Sequence, residues 1–244
     1  MTEREEERLR VEFNRWAREG YGLEPRHPGM MEKVFRMMQV QPKDRVIDLG
    51  CGAGWATRQL ARLASEGVAV GLDVSDEMVA LARQQSVEIE NVMFVLGAAD
   101  EIPWQEDFFS LLLSVDSAFY WPDLEAATHE IFRVMAPGGR IFILNTFYRE
   151  SPLASRWQQV FQVPVHLKSV SEWSEVFTAA GFEAVQISRV TDETPVEADF
   201  EPSPFYASPE EKAQFRRTGA LLIQAAKPGK AVSHQPSAVS NPEA

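Results

Sequence analysis

Arg45-Val46-Ile47-Asp48-Leu49-Gly50-Cys51-Gly52-Ala53-Gly54-Trp55 is the stretch from which the rest of the chain is read. A short apolar run carries one acid, breaks into three glycines at alternate positions, and leads into a helical pattern over residues 55–65. The run reads as a buried parallel strand, and the glycines as the tight turn that ends it. Lacking a Cβ, glycine permits the sharp bend and lets a ligand approach bare main chain. The helix that begins beyond it offers unpaired N–H groups. The stretch is a cofactor loop of the nucleotide-binding type.

Its details select among cofactors. The dinucleotide fingerprint G-x-G-x-x-G seats a pyrophosphate on a helix N-terminus. Here the spacing Gly50-x-Gly52-x-Gly54 is one residue short, and Asp48 sets a carboxylate where it repels a pyrophosphate. No Lys or Arg lies between Asp48 and Trp55, and no G-x-x-x-x-G-K-[ST] occurs. A cofactor carrying an ammonium and a sulfonium favours an acid at that place. S-adenosylmethionine is such a cofactor.

The same segment, Asp48 to Gly54, resembles the first motif of class I S-adenosylmethionine-dependent methyltransferases. Three further blocks fit in order. Gly71-Leu72-Asp73-Val74-Ser75-Asp76-Glu77-Met78 resembles the end of the second strand with its ribose-binding acid. Gly97-Ala98-Ala99-Asp100-Glu101-Ile102-Pro103-Trp104 resembles the adenine-side loop, and Arg133-Val134-Met135-Ala136-Pro137-Gly138-Gly139 the turn before the fifth strand. The resemblance covers residues 44–227 and is nearest to the small-molecule, ubiquinone-biosynthesis-like branch. It implies an α/β, Rossmann-like fold: a seven-stranded, mostly parallel sheet in the order 3-2-1-4-5-7-6, helices on both faces, and an N-terminal helical cap. It also implies direct displacement of a methyl group from S-adenosylmethionine onto a small, partly apolar metabolite. The alternative is a non-catalytic regulatory or scaffolding protein that binds S-adenosylmethionine or S-adenosylhomocysteine, because methyl transfer demands no particular side chain.

The cofactor site expected from these motifs comprises Asp48, Gly50, Cys51, Gly52 and Gly54, then Asp73, Val74 and Met78, then Ala98, Ala99, Asp100 and Ser114. Asp48 orders the glycine loop or meets the methionine ammonium. The two oxygens of Asp73 match two vicinal ribose hydroxyls, and an ionised acceptor makes the stronger hydrogen bonds. Met78 and Ile102 would sandwich adenine. Family members often carry an acid directly after the glycine of the adenine-side loop, where this chain has Ala98. Asp100 substitutes for it, or the backbone of Ala99 does the reading.

For the reacting centre the end of the fourth strand offers Asp116, with an Asx turn as the bland reading of the same residue. Phe119, Tyr120 and Trp121 form either an aromatic wall or plain core. His166 follows the fifth strand near Trp157 and Phe161 and is the expected general base, with His27 in the N-terminal loop as its rival. His129 belongs on a solvent-facing helix. The four histidines are scattered and no H-E-x-x-H occurs, so no metal is expected.

Bulk properties narrow the partners. A formal net charge of −12 disfavours non-specific nucleic-acid binding and docking on anionic lipid. Cys51 is the one cysteine, which rules out a disulfide framework within the chain and suits a small buried filler. The charged residues 1–10 have no apolar core of a signal peptide, and no run reaches the roughly 20 apolar residues of a membrane span. A cytoplasmic protein without stable membrane insertion is expected. The oligomeric state has no signature.

Along the chain, residues 1–40 read as a helical cap with helices at 3–19 and 30–38. Residues 41–227 read as the methyltransferase domain. Its strands are placed at 45–50, 68–73, 92–97, 108–115 and 140–147, with helices near 55–65, 76–85 and 123–135. Alternation of this kind means a parallel sheet covered on both faces. A helix at 171–180 and two closing strands at 183–191 and 219–227, antiparallel to each other, complete it. Residues 148–169 and 193–217 are variable, substrate-side segments, and 195–209 is a lid or a plain surface loop. Residues 228–244 are polar and aperiodic, and disorder is expected there.

Overall fold

The structure is a computed structural model, and it describes residues 3–20 and 27–229. Two helices, α1 (Glu3–Arg18) and α2 (Pro28–Met38), precede the sheet. Then follow β1 (Arg45–Leu49), α3 (Trp55–Leu63), β2 (Val68–Asp73), α4 (Asp76–Gln84), β3 (Val92–Leu96) and β4 (Phe109–Val115). After a 3-10 turn at Ala118–Tyr120 come α5 (Leu124–Val134), β5 (Met135–Asn145), α6 (Ala154–Val160) and α7 (Val170–Ala179). β6 (Glu183–Val190), α8 (Pro209–Thr218) and β7 (Ala220–Ala226) close the chain.

The seven strands form one sheet in the order β3-β2-β1-β4-β5-β7-β6. β1 through β5 are parallel, while β7 runs antiparallel to both β5 and β6. The order expected from the motif resemblance is the one observed. β1 is covered on both faces, so Val46, Ile47, Asp48 and Leu49 are all buried and the strand shows no alternation. α3 buries Ala56, Thr57, Leu60 and Ala61, a stripe at helical spacing. Leu60 is fully buried and contributes on the order of 1.5–3 kcal/mol. α4 starts at Ser75, whose hydroxyl accepts the Met78 N–H, and carries Asp76 and Glu77 against the positive end of its dipole.

Several expected boundaries shift. β5 begins at Met135 instead of residue 140, because Met135 pairs with Phe109 across a bulge before the regular register resumes at Leu111 and Arg140. α6 and α8 lie inside the two segments read only as variable. Residues 192–208 are irregular and pack over the cavity described below. Of the expected N-terminal loop and tail, residues 21–26 and 230–244 lie outside the described residues. No described helix is long and apolar enough to cross a membrane.

Candidate active site

The carboxyl ends of five adjacent strands open into one cavity of about 550 Å³. Such crevices form where the strand order reverses, here between β1 and β4.

The β1–α3 turn makes the floor of one half. The amides of Gly50 and Cys51 both donate to the Leu72 carbonyl, at 2.8 and 3.1 Å, which ties the turn to the end of β2. Gly50 stands at φ +71°, and a Cβ there would lie 2.0 Å from the Ser117 hydroxyl. The loop is therefore bare at the point where β4 ends. Gly54 stands at φ +77° as the N-cap of α3, and a Cβ there would meet the Phe94 ring at 2.5 Å. That explains its glycine by packing, and Gly54 does not line the cavity.

Two buried carboxylates face this half. Asp48 accepts the Thr57 hydroxyl at 2.7 Å. Burial drives its carboxyl up to about 7, opposed by the Thr57 hydrogen bond and reinforced by the charge of Asp73. Asp73 accepts the amide N–H groups of Gly52 (2.8 Å) and Ser75 (2.9 Å), one on each oxygen. Burial raises its carboxyl too, and those amides pull the other way. Two desolvated acids beside a bare loop are an arrangement that a cation relieves and a phosphate worsens. Burial also pushes the Cys51 thiol well up, and the sulfur packs against Gly71, so it is a filler and not a nucleophile. Val74, Met78, Gly97, Ala98 and Ala99 complete this half.

The other half is aromatic. Phe13 and Trp16 of α1 meet Tyr120 edge-on, with ring centroids 5.2 and 6.2 Å away. Tyr120 continues to Phe161, which continues to Phe205. Trp157, Tyr206 and Phe215 carry the wall to His27, whose ring lies 5.2 Å from Phe215. Between the halves stands Asp116. It is a non-glycine residue at φ +50°, and its Oδ1 accepts both the amide and the hydroxyl of Thr146 at 2.8 Å. Its Oδ2 faces His27 Nε2 at 3.7 Å.

Of the expected site residues, Asp48, Gly50, Cys51, Gly52, Asp73, Val74, Met78, Ala98, Ala99 and Asp116 come together on the cavity, and Gly54, Asp100, Ser114, Ile102 and His166 do not. Ser114 is fully buried within β4, one residue behind the lining. Ile102 is core, its amide held by Glu130 and its carbonyl by Arg133. His166 is corrected most plainly. Its amide donates to the Phe119 carbonyl, and its Nε2 lies 2.8 Å from the Trp121 carbonyl, so it fastens the post-β5 segment to the 3-10 turn instead of facing the cavity. The rival histidine, His27, is the one on the lining. Sequence reasoning passed over Thr146, Phe205, Tyr206, Phe215 and Arg216. The signal for the last four was available: Ser208-Pro209-Glu210-Glu211 is a helix start, with aromatics on either side of it.

A sequence profile described as a methyltransferase domain matches residues 41–181, more than half of the chain. The chain belongs to the class I S-adenosylmethionine-dependent methyltransferases. Over 153 residues it is 28% identical to an uncharacterized methyltransferase, YcgJ, of Bacillus subtilis, covering 60% of each chain. It is 29% identical to demethylmenaquinone methyltransferase of Listeria monocytogenes over 55% of this chain and 57% of that one. The chain thus spans about half to three-fifths of the length of the curated relatives it matches. Among solved structures, a chain from the complex between the Haloferax volcanii Trm112 methyltransferase activator and a methyltransferase superposes with a TM-score of 0.81 at 29% identity. That match covers 89% of this chain and 98% of the other.

Proposed function

We propose that this methyltransferase moves the methyl group of S-adenosylmethionine onto a small, partly apolar acceptor with an aromatic ring. The observation that carries the proposal is the continuity of one cavity: a bare loop with two buried acids on one side, an aromatic wall on the other. When bound, the cofactor supplies a sulfonium-activated methyl group. The protein supplies the rest. Asp73 is set to receive the ribose hydroxyls, Asp48 offers charge to the methionine end, and the aromatic wall excludes water from the acceptor. The curated relatives support the acceptor class, since their names include demethylmenaquinone methyltransferase and 2-methyl-6-phytyl-1,4-hydroquinone methyltransferase.

Calorimetric titration with S-adenosylmethionine, S-adenosylhomocysteine and NAD tests the cofactor half. Saturable binding of the first two is expected, and binding of NAD alone would overturn it. Transfer of labelled methyl groups to a panel of hydroquinones, phenols and alkylamines tests the acceptor half. Tight cofactor binding with no transfer to any acceptor would favour a regulatory binder.

A protein partner is part of this reading. The relative with the 0.81 superposition was solved with a Trm112 methyltransferase activator. Here the outer strand β3 reads Val-Met-Phe-Val-Leu, with Met93 and Leu96 about half exposed. An uncharged apolar edge strand is a place that natural proteins keep covered. We assign it to an activator of the Trm112 kind, to be tested by co-expression and gel filtration with and without Met93→Lys.

A further inference from the structure

We propose that His27 and Asp116 form a proton-accepting pair for a phenolic acceptor, and that His27 takes the hydroxyl proton as the methyl group arrives. The inference rests on the methyltransferase reading above and goes beyond it by naming the acceptor group and the base.

Three observations converge. The first is backbone strain. Asp116 holds a left-handed φ of +50° at the end of β4, a conformation that residues with a side chain rarely adopt unless the surroundings hold them there. Its backbone and side chain are pinned there, the amide to the Leu144 carbonyl at 2.8 Å and Oδ1 to both donors of Thr146. The second is what the strain accomplishes. With Oδ1 doubly occupied, Oδ2 is aimed at the cavity and at His27 Nε2, 3.7 Å away. The third is place. The next residue, Ser117, abuts Gly50 of the cofactor loop, so the pair stands at the seam between the cofactor half and the aromatic half. An alkyl-transfer centre needs a base only where the acceptor carries a proton that must leave. A phenol is an acceptor of that kind that fits an aromatic wall, and its hydroxyl proton is acidic enough for an imidazole to take.

The groups around the imidazole set its charge balance. Asp116 faces it from the end of β4, and Asp192 from the loop after β6, with Arg216 of α8 3.8 Å behind Asp192. Burial pushes the Asp192 carboxyl up, but Thr194, Arg216 and His27 outweigh it and hold the group ionised. Phe215 packs on the imidazole face. In the step itself the hydroxyl O–H bond breaks and its proton moves to His27 Nε2. The oxygen uses the released pair to bond the methyl carbon, whose bond to sulfur breaks with its electrons staying on sulfur. His27 then returns the proton to solvent. Asp116 is a positioning residue, stabilising the imidazolium as it forms.

The test has two arms. Without cofactor, 4-nitrophenol is titrated into the protein and its phenolate absorbance followed against pH. Wild type is expected to ionise the bound phenol at lower pH than water does, and His27→Gln to abolish that shift. Failure of 4-nitrophenol to bind, or the same titration in both proteins, would overturn the pair. With cofactor, labelled-methyl transfer is measured across phenols of graded acidity. His27→Gln should lower turnover by about 10²–10⁴-fold while leaving S-adenosylmethionine binding within about twofold. The variant's rate should rise steeply with phenol acidity, and added imidazole should restore part of it. Asp116→Asn should move the acidic limb of the wild-type pH–rate profile to lower pH. Transfer to amines or to ring carbon instead of phenolic oxygen would refute this inference and leave the methyltransferase reading standing. No cofactor binding at all would refute the reading itself.

Discussion

Cofactor binding should be linked to the proton on Asp48. In the ligand-free protein that carboxyl sits near 7, mainly because it is buried, with Asp73 adding repulsion. A cation beside it requires the ionised form, so binding below pH 7 must first remove the proton. Each pH unit then weakens the apparent affinity tenfold, which makes about 100-fold, or 2.7 kcal/mol, at pH 5 relative to a plateau above 7. The sign for folding is the opposite. The raised carboxyl favours the protonated folded state, so the ligand-free protein loses stability as pH climbs from 3.8 to about 7. The assay is calorimetry between pH 5 and 7.5, a range in which an α-amino group stays largely protonated. Buffers of different ionisation heat report proton release directly, and close to one proton per cofactor is expected near pH 6. Asp48→Asn should bind more weakly but without pH dependence. A flat affinity with no released proton would refute the argument that the buried acid exists for the cation.

Other substitutions read other parts of the site. Asp73→Ala should weaken S-adenosylmethionine by about 1.5–3 kcal/mol per charge-assisted bond lost, and an unchanged calorimetric affinity in a folded variant would remove it from the ribose site. Gly50→Ala should abolish cofactor binding, because its Cβ falls 2.0 Å from the Ser117 hydroxyl at a φ of +71°; normal titration would show that the turn yields. Asn14→Ala removes bonds from α1 to Ser75 Oγ (2.5 Å) and Asp76 (2.8 Å), and should cost about 1 kcal/mol in a denaturant melt together with a few-fold loss of cofactor affinity.

The sheet and the cofactor half were legible from the chain for physical reasons. β1, β2 and β4 are buried on both faces, so they announce themselves as mainly apolar runs without the alternation of a half-exposed strand, and the turns between them need glycine or a capping side chain. α8 was missed because only Phe215 and Arg216 of its ten residues are buried, which leaves no apolar stripe to read. Choosing between His27 and His166 was beyond local pattern. Both sit in irregular segments, and which one reaches the cavity depends on how those segments drape over β4 and β5. The strain at Asp116 was invisible for the same reason: nothing in Ser-Val-Asp-Ser distinguishes an Asx turn from a left-handed aspartate held by Thr146, thirty residues on.

α1 belongs to both halves of the cavity. Its Asn14 grips the start of α4, Arg18 pairs with Glu77, and Ala17 packs with Met78 and Ala53, while Phe13 on the same helix leans on Tyr120. One rigid rod thus answers to two ligands. Whatever seats it against the cofactor also builds the acceptor wall, so the two affinities must raise each other by the same factor. Each ligand should accordingly lower the apparent KM of the other, and the demethylated cofactor should be a stronger inhibitor in the presence of the methylated product than alone.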